Sequence, residues 1–308
     1  MSVSVIGQGF VGGSLTTVLA ERGEHVYVCD KAGIRAEGAA LFFRDIAGLV
    51  SRSEADQTFS GFYFVCVPTP MKRDGSVDIS IVKGIIEELA RLVPSDRSRT
   101  FVIKSTIPPG TTESFNTSLT GECLSRIVFN PEFLTEINAL DDMRNQTRII
   151  VGGPRPWSSR LKTFYQRVFP SIPIVKTSSM TAEFVKYMTN CFLATKVSFA
   201  NEMKQICDRL DDRGLDIDYD KVVEYATMDP RLGTSHWSVP GHVPVDGKIV
   251  AGWGGHCFCK DLNGLMHLSR ELGIDPTVMQ AAWDKNLEVR PPEYRDWEKM
   301  VGRAVSEE

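Results

Sequence analysis

The chain has 308 residues, 42% of them hydrophobic, which is enough to bury a sizeable core and to divide into two domains. Its net charge of -4 comes from 35 Lys and Arg against 39 Asp and Glu scattered along the sequence, so no basic face is offered to a nucleic-acid backbone. Seven cysteines without framework spacing, and no apolar run of about 18 residues, argue against a disulfide scaffold and a membrane span and for a cytoplasmic protein with reduced thiols.

In chain order, residues 2–6 form a short β-rich run that meets Gly7, Gly9 and Gly12, and residues 14–21 read as a helix. A second strand over 25–29 ends at Asp30. Further strands are predicted at 62–67, 100–104, 126–129 and 148–151, with helical pattern after Asp78. This alternation predicts an α/β fold, an N-terminal Rossmann-type doubly wound parallel sheet over residues 1–178. From about residue 181 the spacing of apolar residues changes to threes and fours for about eight turns, which predicts a long central helix in a mainly helical domain over 179–290. Residues 229–255 are loop-like, a helix is expected over 261–272, and 291–308 read as a polar C-terminal tail behind Pro291 and Pro292.

The run Gly7, Gln8, Gly9, Phe10, Val11, Gly12 lies between a strand and a helix, the context a dinucleotide loop requires. The first glycine allows the tight turn, the second lets backbone approach a pyrophosphate, and the third lets helix and strand pack closely. Asp30 is placed to accept hydrogen bonds from the adenosine ribose, which favours NAD over NADP, although neighbouring Lys31 could tolerate a 2'-phosphate. Val67, Pro68 and Thr69 turn the chain out of another strand at the carboxyl edge of the sheet, as a ligand wall or as a plain rigid loop.

Cys257 follows Gly254 and Gly255 and precedes Lys260 and Asp261 in a loop leading to a helix, where a thiolate is stabilised by the helix start and a nearby cation. Taken alone it could be a structural cysteine, or with Cys259 a redox or metal pair. C-x-C without a second ligand cluster is poor zinc spacing, so no metal is expected. Lys186 and Asn190, four residues apart, share one face of the long helix.

Together the segments GQGFVGG, VCVPTP, KSTIPPGTT, NPEFLTE, AEFVKYMTN and GGHCFCKD resemble, in order, the UDP-glucose/GDP-mannose dehydrogenase family from residue 1 to about 290. The resemblance implies an NAD-dependent, four-electron oxidation of a nucleotide sugar, UDP-glucose first, at its C6 alcohol, through a thiohemiacetal and thioester on Cys257. It implies general-base work for Asp261, and for Lys186 and Asn190 the holding of a water or an oxyanion. Glu136 would activate the hydrolytic water with Glu132 orienting it, and Thr106 matches a further site position. Thr106, Glu136 and Lys260 also stand among the positions expected near the cofactor, and Gly254 among those near the substrate. Phe133 and Leu134 match the stretch whose backbone meets the sugar, and Arg231 an arginine that reaches a neighbouring subunit's substrate. A homodimer through the long helix, with Phe192, Phe199 and Met203 at its seam, is the implied assembly, although such a stripe also suits ordinary core.

The sequence departs from the family in three places. Family members continue into a third, Rossmann-like domain, and the coherent final segment RDWEKMVGRAVSEE leads to the expectation of a naturally short form. Residues 236–250 are longer than the usual link, with His242 and His256 near the site, and Cys259 stands where the family usually has Pro or another residue. Two other readings remain at this point: a two-electron 3-hydroxyacid or 6-phosphogluconate type of dehydrogenase, which needs no thiol, and a non-catalytic NAD or nucleotide-sugar binder.

Overall fold

The computed structural model describes residues 1–95, 98–118, 126–241 and 244–307. They form two compact units, the first of residues 1–69 and 78–186, the second of residues 70–77 and 187–308.

In the first unit the elements are β1 (Ser2–Ile6), α1 (Phe10–Glu21), β2 (His25–Cys29), β3 (Ala39–Phe43), α2 (Ile46–Ala55), β4 (Phe59–Val65), α3 (Ser80–Leu92), β5 (Thr100–Ile103) and α4 (Thr111–Ser118). There follow β6 (Ile127–Phe129), α5 (Ala139–Arg144), β7 (Ile149–Gly152), α6 (Trp157–Val168), β8 (Ile174–Thr177) and the start of α7 (Ser179–Asp211). Among the described residues the strands make an eight-stranded sheet in the order β3-β2-β1-β4-β5-β6-β7-β8. All pairings are parallel except β6 with β7.

Strand period two sends neighbouring side chains to opposite faces, and each face buries its own core. Val3 and Val5 of β1 pack with Leu15 and Val18 of α1 and Phe164 of α6, whereas Ile6 packs with Leu49 of α2 and Val82 and Ile86 of α3. Ser4, which also faces α2, is tolerated at full burial because its hydroxyl lies 2.7 Å from that of Ser53. The chain is therefore a doubly wound α/β protein, as the alternating pattern predicts. The strand order reverses between β1 and β4, so the carboxyl ends of those strands form the crevice where such sheets bind ligands.

The second unit holds the rest of α7, then α8 (Tyr219–Ala226), a short hairpin β9 (Pro244–Val245) and β10 (Lys248–Ile249), α9 (Cys257–Glu271), α10 (Thr277–Val289) and α11 (Asp296–Lys299). Its core joins Tyr187, Cys191 and Ala194 of α7 to Cys259, Leu262 and Met266 of α9 and to Trp253, Trp297 and Ala304. Segment 291–308 is thus no loose tail: Trp297 is buried, and Met71 N–H donates to Ala304 O at 2.8 Å. Residues 70–77 also join this unit, unlike the contiguous 1–178 division read from the sequence. No helix among the described residues is long and apolar enough to cross a membrane.

Candidate active site

At the end of β1, Gly7 takes a φ of +86°, which favours glycine, and a Cβ there would stand 2.3 Å from Cys66 O. A Cβ on Gly12 would stand 1.9 Å from Gly7 O, so α1 and the loop close on each other only because no side chain intervenes. Gly9 is the N-cap of α1, and a Cβ on it would meet nothing within 4 Å. This open side of the helix start is where the amide groups and the positive end of the dipole can receive phosphate.

Gln8 presents only its backbone. Its side chain is buried, donating to Gly7 O and accepting from Thr16 Oγ1, while its N–H donates to Asp30 Oδ2 at 2.8 Å. Asp30 also accepts from Ile34 N–H at 3.2 Å, which leaves part of its carboxylate acceptor capacity for ribose hydroxyls. Phe10 and Lys31 are exposed and Val11 is half-buried. A cradle open at Gly9 and closed at Gly7 and Gly12, with an acid at the end of β2, fits a dinucleotide.

Beyond β4 the loop is pinned to the loop beyond β5: Val67 N–H donates to Ser105 Oγ at 2.9 Å, and Thr69 Oγ1 donates to Thr106 O at 2.7 Å. Pro68, between them, is exposed. Behind this wall, burial pushes the Cys66 thiol up to about 12, which makes it an inert core residue. Burial also lowers the Lys104 ammonium, which donates to Asn130 Oδ1 at 2.9 Å.

Glu132 and Lys186 form a buried pair, Nζ donating to Oε1 at 2.7 Å, with Leu134 N–H donating to the other carboxylate oxygen at 2.7 Å. Burial works to raise the Glu132 carboxyl, but the Lys186 charge and these hydrogen bonds outweigh it and hold the group below its ordinary value. The Phe133 ring lies under Lys186 Nζ, with its centroid at 5.9 Å, and also under the Arg148 guanidinium at 4.1 Å. Glu136, half-buried, stands in the turn before α5.

In the second unit Cys257 is the first residue of α9, with His256 as N-cap. The sequence reading placed the helix start at 261, one turn too late. Cys257 is half-buried, whereas Cys29, Cys66, Cys191, Cys207 and Cys259 are buried. One turn into α9, Asp261 is fully buried between two donors: Asn190 Nδ2 at 2.6 Å and Lys260 Nζ at 2.5 Å. Buried charges need such partners, and this acid has both a cation and an amide. Lys260, expected near the cofactor, spends a donor on Asp261.

Gly254 precedes Cys257 under a roof of Asp296 and Arg290, and no Cβ would fit there. Arg231, in the same unit, has an exposed guanidinium paired to Asp229. His242 lies outside the described residues. Sequence reasoning missed Asn286, Arg290 and Asp296, which hold the backbone of the Cys257 loop; the first two fall at the end of the predicted helical domain and the third in the predicted tail, and no local pattern marks them.

Strand order, glycine cradle and acid define a Rossmann-type dinucleotide-binding protein. The comparisons go further. The NAD binding domain of the UDP-glucose/GDP-mannose dehydrogenase family matches residues 49–169, and the central domain of the same family matches residues 180–288. The chain is similar to the putative UDP-glucose 6-dehydrogenase YtcA of Bacillus subtilis, at 31% identity over 91% of this chain and 66% of that protein. It is likewise 31% identical to the UDP-glucose 6-dehydrogenase AglM of Haloferax volcanii, over 93% of this chain and 69% of that one. Among solved structures, a UDP-glucose dehydrogenase of Pyrobaculum islandicum superposes with a TM-score of 0.75 at 28% identity, covering 92% of this chain and 67% of its own. The chain thus belongs to the UDP-glucose/GDP-mannose dehydrogenase family, and NAD is the cofactor of its first domain. It spans about two thirds of the length of these relatives.

Proposed function

We propose that this chain oxidises the C6 alcohol of a nucleotide sugar, UDP-glucose before UDP-N-acetylhexosamine or GDP-mannose, to the carboxylate through a covalent intermediate on Cys257. The observation that carries this reading is the placing of Cys257: of the described cysteines, it alone is not buried, and it is the first residue of α9.

NAD, held at the glycine cradle and Asp30, supplies the hydride acceptor for both oxidations, so two are reduced per sugar. After the alcohol has become an aldehyde, the Cys257 thiolate adds to the carbonyl carbon and the carbonyl oxygen becomes the thiohemiacetal oxygen. Loss of a second hydride leaves a thioester. Water, giving its proton to Glu136, then adds to the thioester carbon, and the C–S bond breaks to return the thiolate and release the carboxylate. Lys186 and Asn190 stabilise the oxyanions on either side of these steps. Glu132 and Asp261 hold those two donors in place, which gives Asp261 a positioning part rather than the base role expected from the sequence resemblance.

The same reading makes the protein a homodimer through α7, with Arg231 offered to the neighbour's substrate, and places it in the cytoplasm, where free thiols persist. Phe192 and Phe199 project from α7 largely exposed, which supports a covered face there.

The test is to incubate the protein with NAD and a panel of nucleotide sugars and to count NADH formed per sugar consumed. Two per sugar, abolished in Cys257→Ser, is the expected result. One per sugar in both forms would overturn it in favour of a two-electron dehydrogenase, and no NADH with any sugar would leave only binding.

A further inference from the structure

A nucleophile must be held to a fraction of an ångström, yet Cys257 follows Gly254 and Gly255, the residues least able to fix a backbone. Gly255 takes a φ of +70° and Gly252 of +75°, so the turn needs these glycines and its rigidity has to come from elsewhere. It comes from Asn286 in α10 and from residues beyond 288, where the family's central-domain match ends.

Asp296 Oδ2 accepts the Gly255 N–H at 3.0 Å, and its Oδ1 accepts from Arg290 Nη2 at 3.0 Å. The fit is close: a Cβ on Gly254 would stand 2.2 Å from Asp296 Oδ1 and 2.5 Å from Arg290 Nη2. Arg290 is almost wholly buried, and its charge is matched by Asp296. Asn286 grips the other end of the loop, accepting Trp253 N–H at 2.8 Å and donating to Trp253 O at 3.0 Å. The strap carrying Asp296 is itself anchored by Trp297, whose ring packs at a tilt with its centroid 5.8 Å from that of Trp283, and by the Met71 to Ala304 hydrogen bond.

We infer that Asp296 is a positioning residue for Cys257: by tying the Gly255 amide to the Arg290 guanidinium it removes the freedom that two glycines give the loop, and so aims the thiol. This rests on Cys257 being the nucleophile, and the experiment separates the two ideas. Asp296→Ala deletes both bonds, and Asp296→Asn keeps the shape and one acceptor, as a milder form that preserves the fold.

Iodoacetamide labelling, followed residue by residue by peptide mass spectrometry without NAD or sugar, reads the loop alone, with Cys257→Ser as blank. Cys257 in Asp296→Ala should label about fivefold faster, with buried Cys191 and Cys259 unchanged, because only the loop opens. Asp296→Asn should fall between. In turnover, kcat should drop about tenfold with KM for NAD unaltered, a split that general loosening would not produce. An unchanged Cys257 rate in both variants, or a parallel rise at all three cysteines, overturns the proposal. If the unmodified protein oxidises no nucleotide sugar, the functional reading fails while labelling still decides the role of Asp296.

Discussion

Lys186 Nζ lies 2.7 Å from Glu132 Oε1, and neither side chain exposes more than 8% of its surface. Each charge is there at the cost of losing water, and each is tolerated because the other is present. The pair joins α7, about two turns from its start, to the loop after β6, so a group proposed for oxyanion stabilisation is also a fixed part of the first unit.

Removing one partner should therefore cost more than removing both. Lys186→Ala leaves a buried carboxylate without its cation and is expected to lower unfolding stability by about 3–5 kcal/mol. The double change Glu132→Gln with Lys186→Met keeps an acceptor for Leu134 N–H and should recover at least half of that loss. Urea unfolding of the parent and the two variants measures it, and a double variant as unstable as the single one would mean that the pair is not the unit of stability.

The same pair sets an acid limb. The Glu132 carboxyl is lowered in the folded chain from an ordinary 4.5, so the unfolded chain binds the proton more tightly. Its stabilisation is fully present above that ordinary value and is lost as pH falls from there through the lowered folded value. Urea midpoints taken in steps from pH 7 to pH 3 should fall more steeply for the unmodified protein than for Glu132→Gln; parallel curves would remove Glu132 from the acid limb.

Two glycines three residues apart predict opposite behaviour. Gly12→Ala would drive a Cβ to 1.9 Å from Gly7 O, backbone against backbone, and should destabilise by more than about 3 kcal/mol. Gly9→Ala meets no protein atom within 4 Å, so its unfolding free energy should stay within about 1 kcal/mol of the parent, the loss being that of a glycine N-cap. NAD binding, followed by calorimetric titration, should weaken at least tenfold in Gly9→Ala, because the space it fills is the one proposed for the pyrophosphate. Wild-type NAD affinity in Gly9→Ala would move the phosphates elsewhere.

How far the sequence could be read follows from where the physics is local. The central strands β1, β2, β4 and β5 are buried on both faces and announce themselves as apolar runs, whereas β3, with Leu41 exposed, and β8, with Val175 exposed, are edge strands whose mixed character hides them. Helix α1 begins at Phe10 and not at 14, because the glycines that look like loop are the ones a dinucleotide-binding helix needs in its first turn. Cys257, Lys186 and Asp261 could be named as candidates from motifs that resemble the family, with Glu132 and Asn190, and the structure shows that Glu132 pairs with Lys186 and Asn190 with Asp261. Asp296, Arg290 and Trp297 were not, since their role depends on a chain reversal after α10 that no local pattern encodes.

The outer face of α7 gives the last expectation. Within the second unit Met188, Phe192, Phe199 and Ile206 recur at spacings of four and seven and are 64%, 66%, 50% and 48% exposed, a helical apolar stripe left facing out. A partner copy laid along the same stripe would bury it on both sides by one two-fold contact. Phe192→Glu combined with Phe199→Glu places charges in the middle of that seam without touching the buried face of the helix. Light scattering coupled to size exclusion should then show the double variant as a monomer of half the parent's mass, with a single cooperative melt retained. A parent already monomeric at micromolar concentration would remove the dimer, and a double variant that stays dimeric would put the assembly on a different surface.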